Sequence, residues 1–214
     1  MALLRRRASA PAMVADEPVE RAPRAPEALL ATLRSGATRA ERREAALDLT
    51  AMPETAGALA AALDEEDDPS VRDAIVTALI AIGTGTAAAG LAGLLRSKDA
   101  ALRNAAIEAL QQMGEAAGEH VERLLASPDP DLRIFAVNVI EVLRHASAGV
   151  WLRQVLEEDP EVNVGLAAVE VLTQLGGPED VPVLRAFAGR FPNEPFVDFA
   201  VDLACRRAIA AGAA

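Results

Sequence analysis

The residues able to carry chemistry are few. Cys205 is the single cysteine, His120 and His145 are the two histidines, Trp151 is the one tryptophan, and tyrosine is absent. One cysteine excludes an intrachain disulfide, and two histidines fall short of a zinc cluster. A nucleophile–His pair needs a third group to orient the imidazole, and no such set is readable. Ser147, close to His145, stands where a helix cap belongs. Gly83-Thr84-Gly85-Thr86 is glycine-rich but lacks the Lys-Ser/Thr that a phosphate loop requires, so it reads as a helix-breaking turn. The expectation is a non-enzyme with no catalytic residue, metal ligand or cofactor.

The ionic residues that recur tell more. Asp68-Pro69-Ser70-Val71-Arg72 returns as Asp99-Ala100-Ala101-Leu102-Arg103, as Asp129-Pro130-Asp131-Leu132-Arg133 and as Asp159-Pro160-Glu161-Val162-Asn163, at intervals of 31, 30 and 30 residues. A degenerate copy stands at Thr38–Arg42, and Glu194-Pro195-Phe196-Val197-Asp198 follows an insertion. In each copy an Asp or Thr can cap a helix, and Pro fits the first helical position, where its missing N–H costs nothing. An apolar stripe at helical spacing comes next: Val71, Ile75, Leu79 and Ile82, then Leu102, Ala106, Leu110 and Met113, then Leu132, Ala136, Ile140 and Leu143. Breaks at Gly83, Gly114 and Gly176 are expected to end helices in the left-handed conformation. A shorter helix then carries Leu91-x-x-Leu94-Leu95, Val121-x-x-Leu124-Leu125 or Leu152-x-x-Val155-Leu156. The unit is helix–turn–helix.

The Asp-Pro-x-Val-Arg start, the Ala-x-x-Ala-Leu core at Ala74–Leu79 and Ala105–Leu110, and the period near 30 residues resemble HEAT-like repeats of the phycobilisome-lyase type. The resemblance implies an all-α fold, an α-solenoid whose stacked units share one continuous core. A half-repeat helix at Pro26–Ser35, five helix pairs and a closing helix at Glu194–Ala210 are expected, about 12 helices without strand. It also implies that each recurrent Asp caps its helix while Arg72, Arg103 and Arg133 reach the backbone or an Asp of a neighbouring repeat. An iron-binding branch of similar proteins uses several His-Glu pairs; here only the reversed Glu119-His120 occurs. Bilin-lyase chemistry remains the alternative, since the resemblance carries that name.

Residues that recur serve stacking, so binding belongs to those that differ between units. Aligning the second helices on their Leu-x-x-Leu-Leu stripes places Gly90, His120, Trp151 and Val183 just before the stripe, and Ala92, Glu122, Arg153 and Leu184 or Arg185 just after. The expected partner-binding ridge is therefore His120, Glu122, Arg123, Trp151, Arg153 and Arg185, with His120 beside Trp151. Two readings stay open for Trp151: an interface hot spot beside arginine, or a filler between helices.

The chain carries −11 net charge, and residues 1–26 hold five arginines against three acids. The remainder is thus at −13, which repels phosphate backbones and anionic lipid; no nucleic-acid or membrane partner is expected. The acidic runs Asp64–Asp68 and Glu157–Asp159 form a solvated rim or steer a basic partner. Residues 1–26, with four prolines and no apolar period, read as a disordered arm ahead of a solenoid over 27–214. No apolar run is long enough to span a bilayer, and none resembles a secretory signal. The sequence is read as a cytoplasmic, monomeric scaffold or adaptor in a setting such as bacterial signalling or complex assembly, holding a protein partner on the curved face of the solenoid.

Overall fold

A computed structural model describes residues 24–212 of the protein, and the arm expected over residues 1–26 lies outside it up to residue 23. Arg24 is already anchored, by Asp48 and by Glu44 at 3.7 Å. Twelve α-helices follow, with no strand among the described residues: α1 (Pro26–Ser35), α2 (Arg39–Asp48), α3 (Ala56–Glu65), α4 (Pro69–Ile82), α5 (Gly85–Leu94), α6 (Ala100–Gln111), α7 (Glu115–Leu125), α8 (Pro130–Ile140), α9 (Ala148–Glu158), α10 (Val162–Leu175), α11 (Val181–Arg190) and α12 (Pro195–Ala211). Short 3-10 turns sit at Leu49–Ala51, Pro53–Thr55 and Pro178–Asp180.

The helices form two layers. Helices α2, α4, α6, α8, α10 and α12 pack in succession, and each second-layer helix packs against the first-layer helix that follows it. The apolar stripes meet between the layers, where Val71, Ile75, Leu79, Leu110, Ile140, Leu91 and Leu156 are fully or almost fully buried. Neither layer can bury its stripe alone, so stacking is what stabilises each unit.

The caps act as the residue types dictate. Thr38 and Glu41 form a reciprocal capping box, while the Asp68, Asp99 and Asp129 carboxylates accept backbone N–H bonds at the starts of α4, α6 and α8. Gly83 ends α4 at φ 61°, which only glycine adopts readily. Three expectations need correction. Gly114 has φ 52° but ψ −131°, outside the left-handed helical region, and it precedes α7 while Gln112 closes α6. Gly176 is extended at φ −74° and ψ 154°, so α10 ends without a left-handed residue. Ser147 occupies the N-cap position of α9, but its side chain makes no cap bond; its N–H instead donates to His145 Nδ1 at 3.0 Å.

The recurrent arginines fasten one unit to the next. Each accepts no bond but donates backwards to the carbonyl six residues earlier: Arg42 to Gly36, Arg72 to Glu66, Arg103 to Ser97 and Arg133 to Ser127. Three also reach forward to an acid of the next unit, Arg42 to Glu66 at 2.9 Å, Arg72 to Asp99 at 2.8 Å and Arg133 to Asp159 at 2.7 and 3.0 Å. Arg103 lies over the Phe135 ring instead, 5.7 Å from its centroid. Where Asn163 breaks the series, Arg190 comes from α11 and donates to the carbonyls of Leu156 and Asp159. The orphan carbonyls at a helix end are thus satisfied by a residue from another place in the chain.

Candidate functional site

The second layer is continuous from α3 through α5 to α7 and again from α9 to α11, but α9 stands off from α7. The cause is local. The connection after α8 places the His145 ring against α7, where a Cβ on Gly118 would lie 2.4 Å from its Nε2. His145 Nε2 also meets Glu115 Oε2 at 3.0 Å, and the imidazole stacks on Trp151 with centroids 4.5 Å apart. Because Nδ1 accepts the Ser147 N–H, the proton of the neutral ring belongs on Nε2, facing Glu115. His145 is therefore a wedge between the two helices at their N-terminal ends.

Beyond the wedge the gap opens into a cleft of about 660 Å³. Its buried floor includes Trp151, Val155 and the Arg133–Asp159 pair, and Leu125 is half-buried beside them. Its exposed rim carries Glu122, Gln154, Glu158 and Glu161. Arg133 is the sole base among the lining residues, and its two-pronged bond to Asp159 neutralises it; that bond also raises the guanidinium pKa against the opposing effect of burial. The field left at the mouth is negative. A floor of indole and aliphatic carbon under a ring of carboxylates suits a basic side chain with an apolar stem or neighbour.

The six residues of the expected ridge are not one surface. Glu122 and Trp151 share the cleft. His120 and Arg123 face a separate groove between α5 and α7, together with Arg96. Trp151 is only 5% exposed, so it packs between helices and offers an edge, not a face. His120 is also buried, and it bonds to Arg123 instead of approaching Trp151; burial first, and the Arg123 charge second, hold its pKa below the ordinary value. Arg153 is drawn toward the next unit by Asp180 at 2.7 Å, and Arg185 is exposed on α11. The displacement of α9 separates these groups, and strict 30-residue alignment does not register it. His145, Gln154, Glu158 and Glu161 join the site from outside the expected ridge. The Glu157–Asp159 run was the sequence signal for part of it.

Cys205 is buried on α12, and burial pushes its thiol pKa up, which suits an inert core residue. Among the described residues no group of His, Cys, Asp and Glu is arranged to hold a metal ion, and no helix is long and apolar enough to cross a membrane.

Stacked helical pairs with interlocking Arg–acid contacts define an α-solenoid repeat protein, opened here at one joint. A family model for HEAT repeats matches residues 26–116 and 119–195, and the chain belongs to that family. No curated protein matches it. Among solved structures, it is similar to the CpcE–CpcF complex of phycocyanin lyase from Nostoc, at 19% identity over 92% of this chain and 100% of that one, with a TM-score of 0.38. It is also similar to Cex1p, at 15% identity over 85% of this chain and 41% of that one, TM-score 0.48. A designed armadillo repeat protein is similar at 15% identity over 86% of this chain and 99% of that one, TM-score 0.40.

Proposed function

We propose that the protein is a non-catalytic interaction scaffold that holds a protein partner in the α7–α9 cleft, and that the partner presents a segment with basic and apolar side chains. The observation that carries this reading is the acid rim of Glu122, Glu158 and Glu161 over a floor that includes Trp151 and Val155. Carboxylates at a mouth raise the encounter rate of a basic segment, and the apolar floor supplies the desolvated contact that retains it. The −13 charge of residues 27–214 extends the attraction beyond the cleft. No lyase step is assigned, because no histidine or cysteine lines the cleft, its one arginine is neutralised by Asp159, and Ser127 has no base beside it to activate its hydroxyl.

Trp151 is the chain's one tryptophan, so its emission reports on the cleft alone. Titration with a short peptide of alternating lysine and leucine should change that emission saturably. The triple change Glu122→Gln, Glu158→Gln and Glu161→Gln should weaken binding by roughly tenfold or more. A peptide of alternating glutamate and leucine should leave the emission unchanged. Equal affinity of the triple variant for the lysine peptide would overturn the reading.

A further inference from the structure

The two ends of the solenoid differ in what they show to solvent. At the N-terminal end of the described residues the first-layer helix α2 exposes Arg39, Glu41, Arg43 and Asp48, a polar outer face. At the other end α12 buries Val197, Val201, Ala204 and Ala208 toward the core and leaves Phe196 64%, Phe199 60% and Leu203 37% exposed. Residues at i, i+3 and i+7 form one stripe on a helix, and the two phenyl rings lie 6.4 Å apart within it. A contiguous apolar stripe on an otherwise charged surface marks a contact surface.

Charge along α12 says what fits there. Asp198, Asp202 and Arg206 follow one another at four-residue steps and flank the stripe, with Arg207 on its other side. All four are exposed and form no ion pair among the described residues. The acids thus occupy the N-terminal half and the bases the C-terminal half of the same helix. A second α12 laid parallel would set acid on acid and base on base. Laid antiparallel about a two-fold axis near the level of residue 204, it sets Asp202 against the partner's Arg206 and, by symmetry, Arg206 against the partner's Asp202. Phe199 then comes level with the partner's Ile209, which is also exposed. A self-complementary patch of this kind is what a two-fold dimer requires. We infer that the protein self-associates through an antiparallel α12–α12 contact, an interface independent of the α7–α9 cleft and of the function proposed for it.

Light scattering on the full chain over a roughly hundredfold range of concentration tests this, since a dimer of this kind dissociates by mass action. The expected mass rises toward twice 22.3 kDa. Phe199→Asp should hold the chain at the monomer mass with its circular dichroism unchanged, and so should Leu203→Asp, which guards against one variant misfolding. Asp202→Arg and Arg206→Asp should each weaken association, and the two changes combined in one chain should restore it. A wild-type chain that stays monomeric throughout overturns the proposal, including a monomer in which residues 1–23 cover the stripe. So does a dimer indifferent to Phe199→Asp, or charge changes whose combination gives no rescue.

Discussion

The joint between the α4–α5 and α6–α7 pairs and the joint between the α6–α7 and α8–α9 pairs start from nearly the same residues. Each carries a recurrent arginine bonded to the carbonyl six residues before it and aimed at the next unit. In the first, α5 lies against α7, and small residues such as Ala88, Ala92 and Ala117 are buried there. In the second, His145 and Trp151 stand between α7 and α9, and the two helices part into a cleft. Shared residues therefore set how units stack, whereas one histidine and one tryptophan set the second-layer helices apart at this joint. The arginine contacts differ too: Arg72 and Asp99, across the first joint, are 22% and 41% exposed, whereas Arg133 and Asp159, which tie α8 to the start of α10 beneath the cleft, are 9% and 6% exposed.

That contrast predicts unequal costs for like substitutions. Arg133→Met leaves Asp159 buried without its guanidinium and should destabilise the fold by about 3–5 kcal/mol. Arg72→Met breaks a solvated pair and should cost about 1 kcal/mol or less. Chemical denaturation of both variants checks the difference, and similar losses would show that burial beneath the cleft does not set the Arg133–Asp159 pair apart. Trp151→Ala removes a packed ring and should cost about 3–5 kcal/mol, while Leu110→Ala in the unbroken core should cost about 2–5 kcal/mol. A Trp151→Ala protein of wild-type stability would contradict its packing between the helices.

Acid should loosen the joints that Asp99 and Glu66 hold. The Arg72 guanidinium, helped by the Ala101 and Leu102 N–H groups, holds Asp99 below its ordinary 3.8. At Glu66 burial pushes up, but the Arg42 guanidinium and the N–H groups of Asp67 and Asp68 outweigh it and hold the carboxyl below 4.5. A carboxylate with a depressed folded pKa binds fewer protons folded than unfolded, so its stabilisation is complete above the ordinary value and is lost as pH falls through the depressed one. His120, also held low, adds a shallower decline that begins as pH falls through its ordinary 6.5, because the unfolded imidazole takes up the proton more readily. Melting temperatures across this range should show both declines, and His120→Gln should remove only the upper one. A single decline common to both proteins would show that His120 does not titrate with folding.

Much of the architecture is legible in residue types. Asp or Thr before each first-layer helix, Pro at its start and Gly83 at its end are local instructions, and the period repeats them until stacking follows. The site is less legible, since it depends on a departure from the period. Nothing in the alignment of the second helices says that His145, in a connection, reaches Trp151 before His120 does. Gly118 is the residue that permits it, and its significance shows only once the ring lies against it. Arg190 is likewise invisible as the substitute for Asn163, because it lies on another helix far along the chain and its role shows only in its bonds to the carbonyls of Leu156 and Asp159.

The smallest effects on stability should come from the cleft rim. Glu158→Gln or Glu161→Gln should shift folding stability by no more than about 0.5 kcal/mol, as for exposed residues generally, while weakening capture of a lysine–leucine peptide. Stability losses beyond that would mean the rim is structural.

Photo-crosslinking compares the two joints most directly. A photoreactive side chain at Gln154, on the cleft rim, is set against one at Gly93, in the groove between α5 and α7. Each protein is irradiated with the same lysine–leucine peptide at low and at high salt. The cleft should label strongly at low salt and weakly at high salt, with little labelling at Gly93 under either condition. Equal labelling at the two positions would contradict the central claim that the displaced α9 makes the binding site.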